Sequence, residues 1–156
     1  MDTDSPISFA LLFSLIATCG LAKTADAADK QWRSIAGPVS AQIVRVIDGD
    51  TLEVDAHPWP GHAVRVSVRL RGIDTPERRS RCKAQRHAAQ MARNELERLV
   101  SSVPTVELIN VSGGKYYGRV LADMMAGSRD IASAMLASGL ARPYQGGKRH
   151  KPKCAG

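Results

Sequence analysis

Three short segments of the 156-residue chain concentrate residues able to act on a charged substrate: Val46-Ile47-Asp48-Gly49-Asp50-Thr51, then Val68-Arg69-Leu70-Arg71-Gly72-Ile73-Asp74-Thr75-Pro76-Glu77, then Tyr116-Tyr117-Gly118-Arg119-Val120-Leu121-Ala122. Asp50 and Asp74 both fall at the ends of expected strands. Two carboxylates converging from separate strands repel unless a cation lies between them. A shell made only of oxygen suits Ca²⁺ or Mg²⁺. Asp48-Gly49-Asp50 by itself is ordinary hairpin-turn chemistry. Glu77 follows Pro76, which stiffens the turn leaving its strand. A carboxylate held beside an activated water is a candidate general base. Arg69 and Arg119 come from different strands. Each suits either a solvated sheet face or a planar fork on a phosphate, and Arg119, after Gly118, is placed to supply a second positive group to a pentavalent phosphate.

The elements that must position these residues can be read from the hydrophobic pattern. Gln42 to Ile47 and Thr51 to Val54 read as strands around the Asp48-Gly49-Asp50 turn, and His57 to His62, with Pro58, Pro60 and Gly61, as a second turn. Val64 to Ile73 alternates, with Val64, Val66, Val68 and Leu70 on one parity and Arg65, Arg69 and Arg71 on the other. Lys83 to Ser101 carries Ala88, Ala92, Leu96 and Leu99 at helical spacing. Thr105 to Val111 and Arg119 to Met125 read as further strands, Ile131, Met135 and Leu136 as a short helix, and the tail from Pro143 as irregular. The order is three strands, a helix, two strands, a helix. That predicts an α+β, mainly β domain, an OB-fold five-stranded barrel with a helix between strands three and four and a short C-terminal helix.

Composition narrows the partners. The 22 Lys and Arg exceed the 15 Asp and Glu, a net charge of +7, which suits a polyanion such as nucleic acid or an anionic surface. Aromatic residues make up only 4%, so the core must be aliphatic. His57, His62, His87 and His150 are scattered, and no Cys/His spacing suggests a zinc site.

The chain divides into residues 1–27, 28–41 and 42–156. The apolar run from Ile7 to Ala22, followed by Ala25-Asp26-Ala27, reads as a signal peptide with its cleavage site. Asp2 and Asp4 sit where such a peptide is normally basic, which leaves an anchor or a misplaced start as alternatives. Export to the periplasm or medium is the expectation. A membrane association would follow only from an uncleaved or lipidated N-terminus. Residues 28–41 read as a linker and 42–156 as the domain. Cleavage after Ala27 leaves Cys82 and Cys154, an even pair whose natural reading in an oxidising compartment is a disulfide, with two free thiols as the alternative.

Together the segments Ile47-Asp48-Gly49-Asp50-Thr51, Arg69-Leu70-Arg71-Gly72-Ile73-Asp74-Thr75-Pro76-Glu77 and Tyr117-Gly118-Arg119-Val120-Leu121-Ala122 resemble the thermonuclease (staphylococcal-nuclease-like) family, in its exported proteobacterial type. Gly139-Leu140-Ala141 and Tyr144 extend the similarity, which covers about Ile43 to Tyr144. The resemblance implies an OB barrel and a calcium-dependent nuclease of low sequence specificity acting on DNA or RNA, with products carrying a 3′-phosphate. It implies that Asp50, Asp74 and the Thr75 carbonyl hold Ca²⁺, with Asp48 supporting the metal site from outside. Glu77 corresponds to the general base, Arg69 and Arg119 to the arginines that hold the scissile phosphate, and Tyr117 to a tyrosine near a nucleotide phosphate. The Cys82 and Cys154 pair is similar to that of the proteobacterial members. Tyr116 departs from the pattern, standing where the best-known member of the family has a lysine, and the chain ends soon after Tyr144. A monomer without a stable protein partner is expected. The alternatives are an OB module that binds single-stranded nucleic acid without cutting it and an exported module that binds anionic glycans.

Overall fold

The structure is a computed structural model that describes residues 33–147 and Cys154. The expected signal peptide lies outside the described residues. The elements in chain order are β1 (Ser34–Ile35), β2 (Val39–Asp48), β3 (Thr51–Trp59), β4 (His62–Leu70), β5 (Ile73–Asp74), α1 (Lys83–Val100), β6 (Val106–Gly113), β7 (Arg119–Ala126), β8 (Arg129–Asp130), α2 (Ile131–Ala137) and β9 (Arg142–Pro143). Strands β2, β3 and β4 form an antiparallel meander. Strand β6 pairs with both β2 and β7, and β7 runs parallel to β4, so the five strands close on themselves. Closure removes the free sheet edges and gives the OB-type barrel, with α1 inserted between its third and fourth strands.

Alternating residues fill the barrel. Leu52 and Val54 from β3, Val68 and Leu70 from β4, Val106 and Leu108 from β6, and Met124 from β7 are buried together. Helix α1 adds Ala92, Leu96 and Leu99, and α2 adds Ile131 and Met135. Ala88, expected on the buried stripe of α1, is only half-buried, and its neighbour Ala89 is buried in its place. Asp130 caps α2, its Oδ1 accepting from Ser133 N at 3.1 Å.

Three expectations need correction. Part of the expected linker belongs to the domain: Ser34–Ile35 pairs with β6, and Val39 and Ala41 are buried core residues of β2. A strand start shielded by a neighbouring strand cannot be told from a linker by local sequence. The second turn is confined to Pro60-Gly61, because β3 continues through Trp59 and β4 begins at His62. A register shift between Ala56 and Trp59 takes Pro58 out of the ladder, where its missing N–H leaves no gap. The tail is also paired at its start: Arg142 and Pro143 lie opposite Asp74 and Ile73, and Tyr144 N donates to Gly72 O at 2.8 Å.

Candidate active site

The β2–β3 turn brings Asp48 and Asp50 to one end of the barrel. Gly49 allows it: a Cβ there would lie 2.6 Å from Ala92 Cβ of α1 and 3.1 Å from Thr75 Cγ2. The helix therefore presses directly on the turn, and Asp50 is fixed and buried. Strand β4 lies across from it, with Thr51 opposite Arg69 and Leu70 N donating to Asp50 O at 2.9 Å. The chain then turns at Gly72 and returns as β5, which delivers Asp74 and Thr75.

Both Asp50 carboxylate oxygens are saturated. Its Oδ1 accepts from Thr51 Oγ1 at 2.8 Å and is ion-paired with Arg69 Nη1 at 2.7 Å. Its Oδ2 accepts from Thr75 N at 3.2 Å and Thr75 Oγ1 at 3.1 Å. Arg69 also donates through Nη2 to Asp74 Oδ1 at 2.9 Å and to Ile73 O at 3.4 Å. The two carboxylates thus converge as the sequence suggested, and the cation lying between them is a guanidinium. The side chains of Asp50, Arg69 and Asp74 are only 5%, 13% and 16% exposed. At such depth charge-assisted hydrogen bonds are stronger than at the surface.

The open side of this cluster is a polar pocket of about 170 Å³ whose walls include Asp48, Asp50, Arg69, Thr75, Glu77 and Arg119. Parallel pairing explains how Arg119 arrives there. Ser67 is opposite Arg119 and Arg69 opposite Leu121, so the two arginines sit on the same side of the β4–β7 pair, two residues apart. Glu77 is exposed at the rim. Asp48 Oδ1 is buried without a hydrogen bond, its contact with Arg78 Nε being 3.5 Å. Arg78, which the sequence did not single out, also donates through Nη1 to Ile47 O at 3.1 Å and lines the pocket. Its position next to Glu77 was the available signal.

Tyr117 is fully exposed and does not line the pocket. Tyr116 is the tyrosine that touches the site, with Arg119 Cζ 5.7 Å from its ring centroid. Gly118, at φ +75°, makes the left-handed turn that sends Arg119 back into the sheet. A second, mostly apolar cavity of about 480 Å³ adjoins Arg69 and is walled by Leu70, Ile73, Leu121 and Tyr144. Tyr144 is anchored by its hydroxyl, which donates to Gly147 O at 2.7 Å.

Among the described residues no group of three or more His, Cys, Asp and Glu side chains is placed to hold a metal. The donors that do converge are two carboxylates with Thr75 beside them, all oxygen, and the buried Asp48 Oδ1 is an orphan acceptor next to them. That donor set fits a hard divalent cation whose shell is completed by backbone, water and substrate oxygens. Cys82 and Cys154 are brought together as thiols. The hydrogen bond between them pulls Cys82 below the usual thiol range and pushes Cys154 above it.

Comparison with known proteins agrees with the geometry. The family model described as staphylococcal nuclease homologue matches residues 67–154, more than half of the chain. The match includes Arg69, Asp74, Thr75, Glu77 and Arg119 and begins after Asp48 and Asp50, which the fold brings to the same pocket. A search of the curated proteins finds no match.

Proposed function

Starting from the fact that this chain belongs to the staphylococcal nuclease homologue family, a nuclease-type family, we propose that it hydrolyses phosphodiester bonds of DNA or RNA in a calcium-dependent reaction with low sequence specificity. The observation that carries this reading is the assembly of Asp50, Arg69, Glu77 and Arg119 around one pocket, with Asp74 bound to Arg69. A module that only holds single strands needs basic and aromatic groups, and has no use for buried carboxylates at its centre.

Asp50, Asp74 and the Thr75 carbonyl are the groups that would hold the calcium ion. When bound, the ion supplies positive charge to a phosphate oxygen. Glu77, at the rim, orients and deprotonates the attacking water. Arg119 and Arg69 offset charge that grows on the phosphate oxygens during in-line displacement, leaving a 3′-phosphate product. The apolar cavity beside Arg69, with Tyr144 in its wall, is large enough to admit a nucleobase next to the scissile phosphate. Contacts to backbone and a single base give little sequence information.

The same reading places the protein in an oxidising compartment after removal of its N-terminal segment, with Cys82 and Cys154 joined. Digestion of plasmid DNA and of RNA, with calcium, with magnesium and with excess chelator, tests the function. Cleavage that depends on the cation is expected. Full activity in chelator removes the metal from the reaction, and binding without cleavage under every condition favours the non-catalytic module.

A further inference from the structure

We infer that Arg69 is the resident cation of the Asp50–Asp74 pair and exchanges places with a divalent ion, so that its role as a phosphate clamp begins only when the ion has taken over the two carboxylates. This rests on the reading of the site as one for a divalent cation, and it concerns what Arg69 does before substrate arrives.

The geometry sets the two roles against each other. Nη1 is paired with Asp50 Oδ1 at 2.7 Å, and Nη2 donates to Asp74 Oδ1 at 2.9 Å and Ile73 O at 3.4 Å, so the donors that face the two carboxylates are engaged. A phosphate brought to Arg69 in this position would come close to both carboxylates as well. The charge balance points the same way. The pocket wall is balanced, Asp48, Asp50 and Glu77 against Arg69, Arg78 and Arg119, and Asp74, bound to Arg69, adds a fourth carboxylate to the cluster. The cluster is net negative and disfavours a phosphate. A divalent ion reverses that sign without moving any element of the backbone.

The arrangement also has a function without metal. Asp50 is pinned by the barrel and by Thr51 and Thr75, and it cannot turn away from Asp74 to relieve repulsion. Removal of one partner from a shielded charge cluster leaves the others uncompensated. Arg69 therefore keeps the metal-free protein intact, and it does so by competing with the metal. Loading the ion and freeing the arginine are one event, and by linkage metal and phosphate each favour binding of the other.

The test titrates calcium alone, with no nucleic acid, into chelator-stripped wild type, Arg69→Gln and Arg69→Lys by calorimetry, and follows thermal unfolding of each with and without calcium. Exchange predicts that Arg69→Gln binds calcium at least about tenfold more tightly than wild type. Arg69→Lys should gain a few-fold, because an ammonium cannot hold both carboxylates as a planar fork does. The stripped Gln variant should melt below wild type, and saturating calcium should close that gap. Equal or weaker calcium binding by both variants overturns the exchange and leaves Arg69 as a group that merely orients the carboxylates. No binding by any of the three proteins overturns the exchange together with the metal site itself. If the stripped Gln variant does not fold, the Lys variant decides alone, tighter binding supporting the exchange and unchanged binding refuting it.

Discussion

The two halves of the site are built to different standards. The inner half, Asp50, Thr51, Arg69, Asp74 and Thr75, grows out of the barrel wall. Its residues alternate with or adjoin Leu52, Leu70 and Ile73 of the core, and they are tied together by five side-chain hydrogen bonds or ion pairs of 3.2 Å or less. The outer half, Glu77, Tyr116, Tyr117 and Arg119, hangs on the turn after β5 and the turn before β7. There Glu77 and both tyrosines are exposed, and Arg119 is steadied by a tyrosine face. The contrast separates tasks. Charges that are held close together against repulsion are set by packing, whereas the groups of the outer half are left accessible to solvent.

If that division is right, substitutions in the inner half should cost stability and activity together, and those in the outer half activity alone. The largest effect is expected for Asp50→Ala. Cleavage should fall by at least about a thousandfold, since both the cation site and its partner Arg69 are disrupted. Stability should fall by roughly 3 kcal/mol, the scale for breaking a shielded ion pair from one side. Urea unfolding and a cleavage assay on the same preparation measure both, and a variant with wild-type stability would break the comparison.

Next comes Glu77→Gln, expected to slow turnover by about a hundred- to ten-thousandfold, the range for loss of a general base. Its unfolding midpoint should stay close to wild type because the side chain is exposed. Near-normal turnover would take Glu77 out of the mechanism.

Arg119→Lys should reduce turnover by about a hundredfold while affinity for uncleaved DNA changes far less, since charge is kept and the planar fork is lost. Steady-state kinetics and direct binding at one ionic strength separate this from a general basic-surface role, for which lysine would substitute well.

The smallest effect sharpens the picture. Tyr116→Ala removes the ring under Arg119, an interaction of about 0.5–1 kcal/mol at an exposed site, so a two- to fivefold loss of turnover is expected. Tyr117→Ala should do less in catalysis, because that side chain stands away from the pocket. A larger loss at Tyr117 than at Tyr116 would mean that the outer half rearranges on binding substrate.

Much of this was legible in the sequence for a simple reason. Strand parity and helical spacing are local, so Val68 and Leu70, or Ala92, Leu96 and Leu99, declare a buried face wherever the chain goes next. The order of the elements was enough to imply the barrel. The extent of the hairpin was less legible, because Pro58 reads as a breaker unless a register shift absorbs it. The start of the domain was missed because Ser34 and Ile35 become a strand only by pairing with Ser112 and Val111, far along the chain.

The sequence by itself determined which groups are candidates for the chemistry: two carboxylates at strand ends, a third after a proline, and two arginines on separate strands. Only the tertiary structure decided how they are shared. It put the guanidinium of Arg69 between Asp50 and Asp74 and Tyr116, in place of Tyr117, beside Arg119. It also closed the pocket with Arg78. The physical reason is that a side chain's chemistry is fixed by its atoms, whereas its partner is fixed by distance. In a closed barrel those distances depend on the register of strands far apart in the chain, here β4 against β7 and the β2–β3 turn against α1.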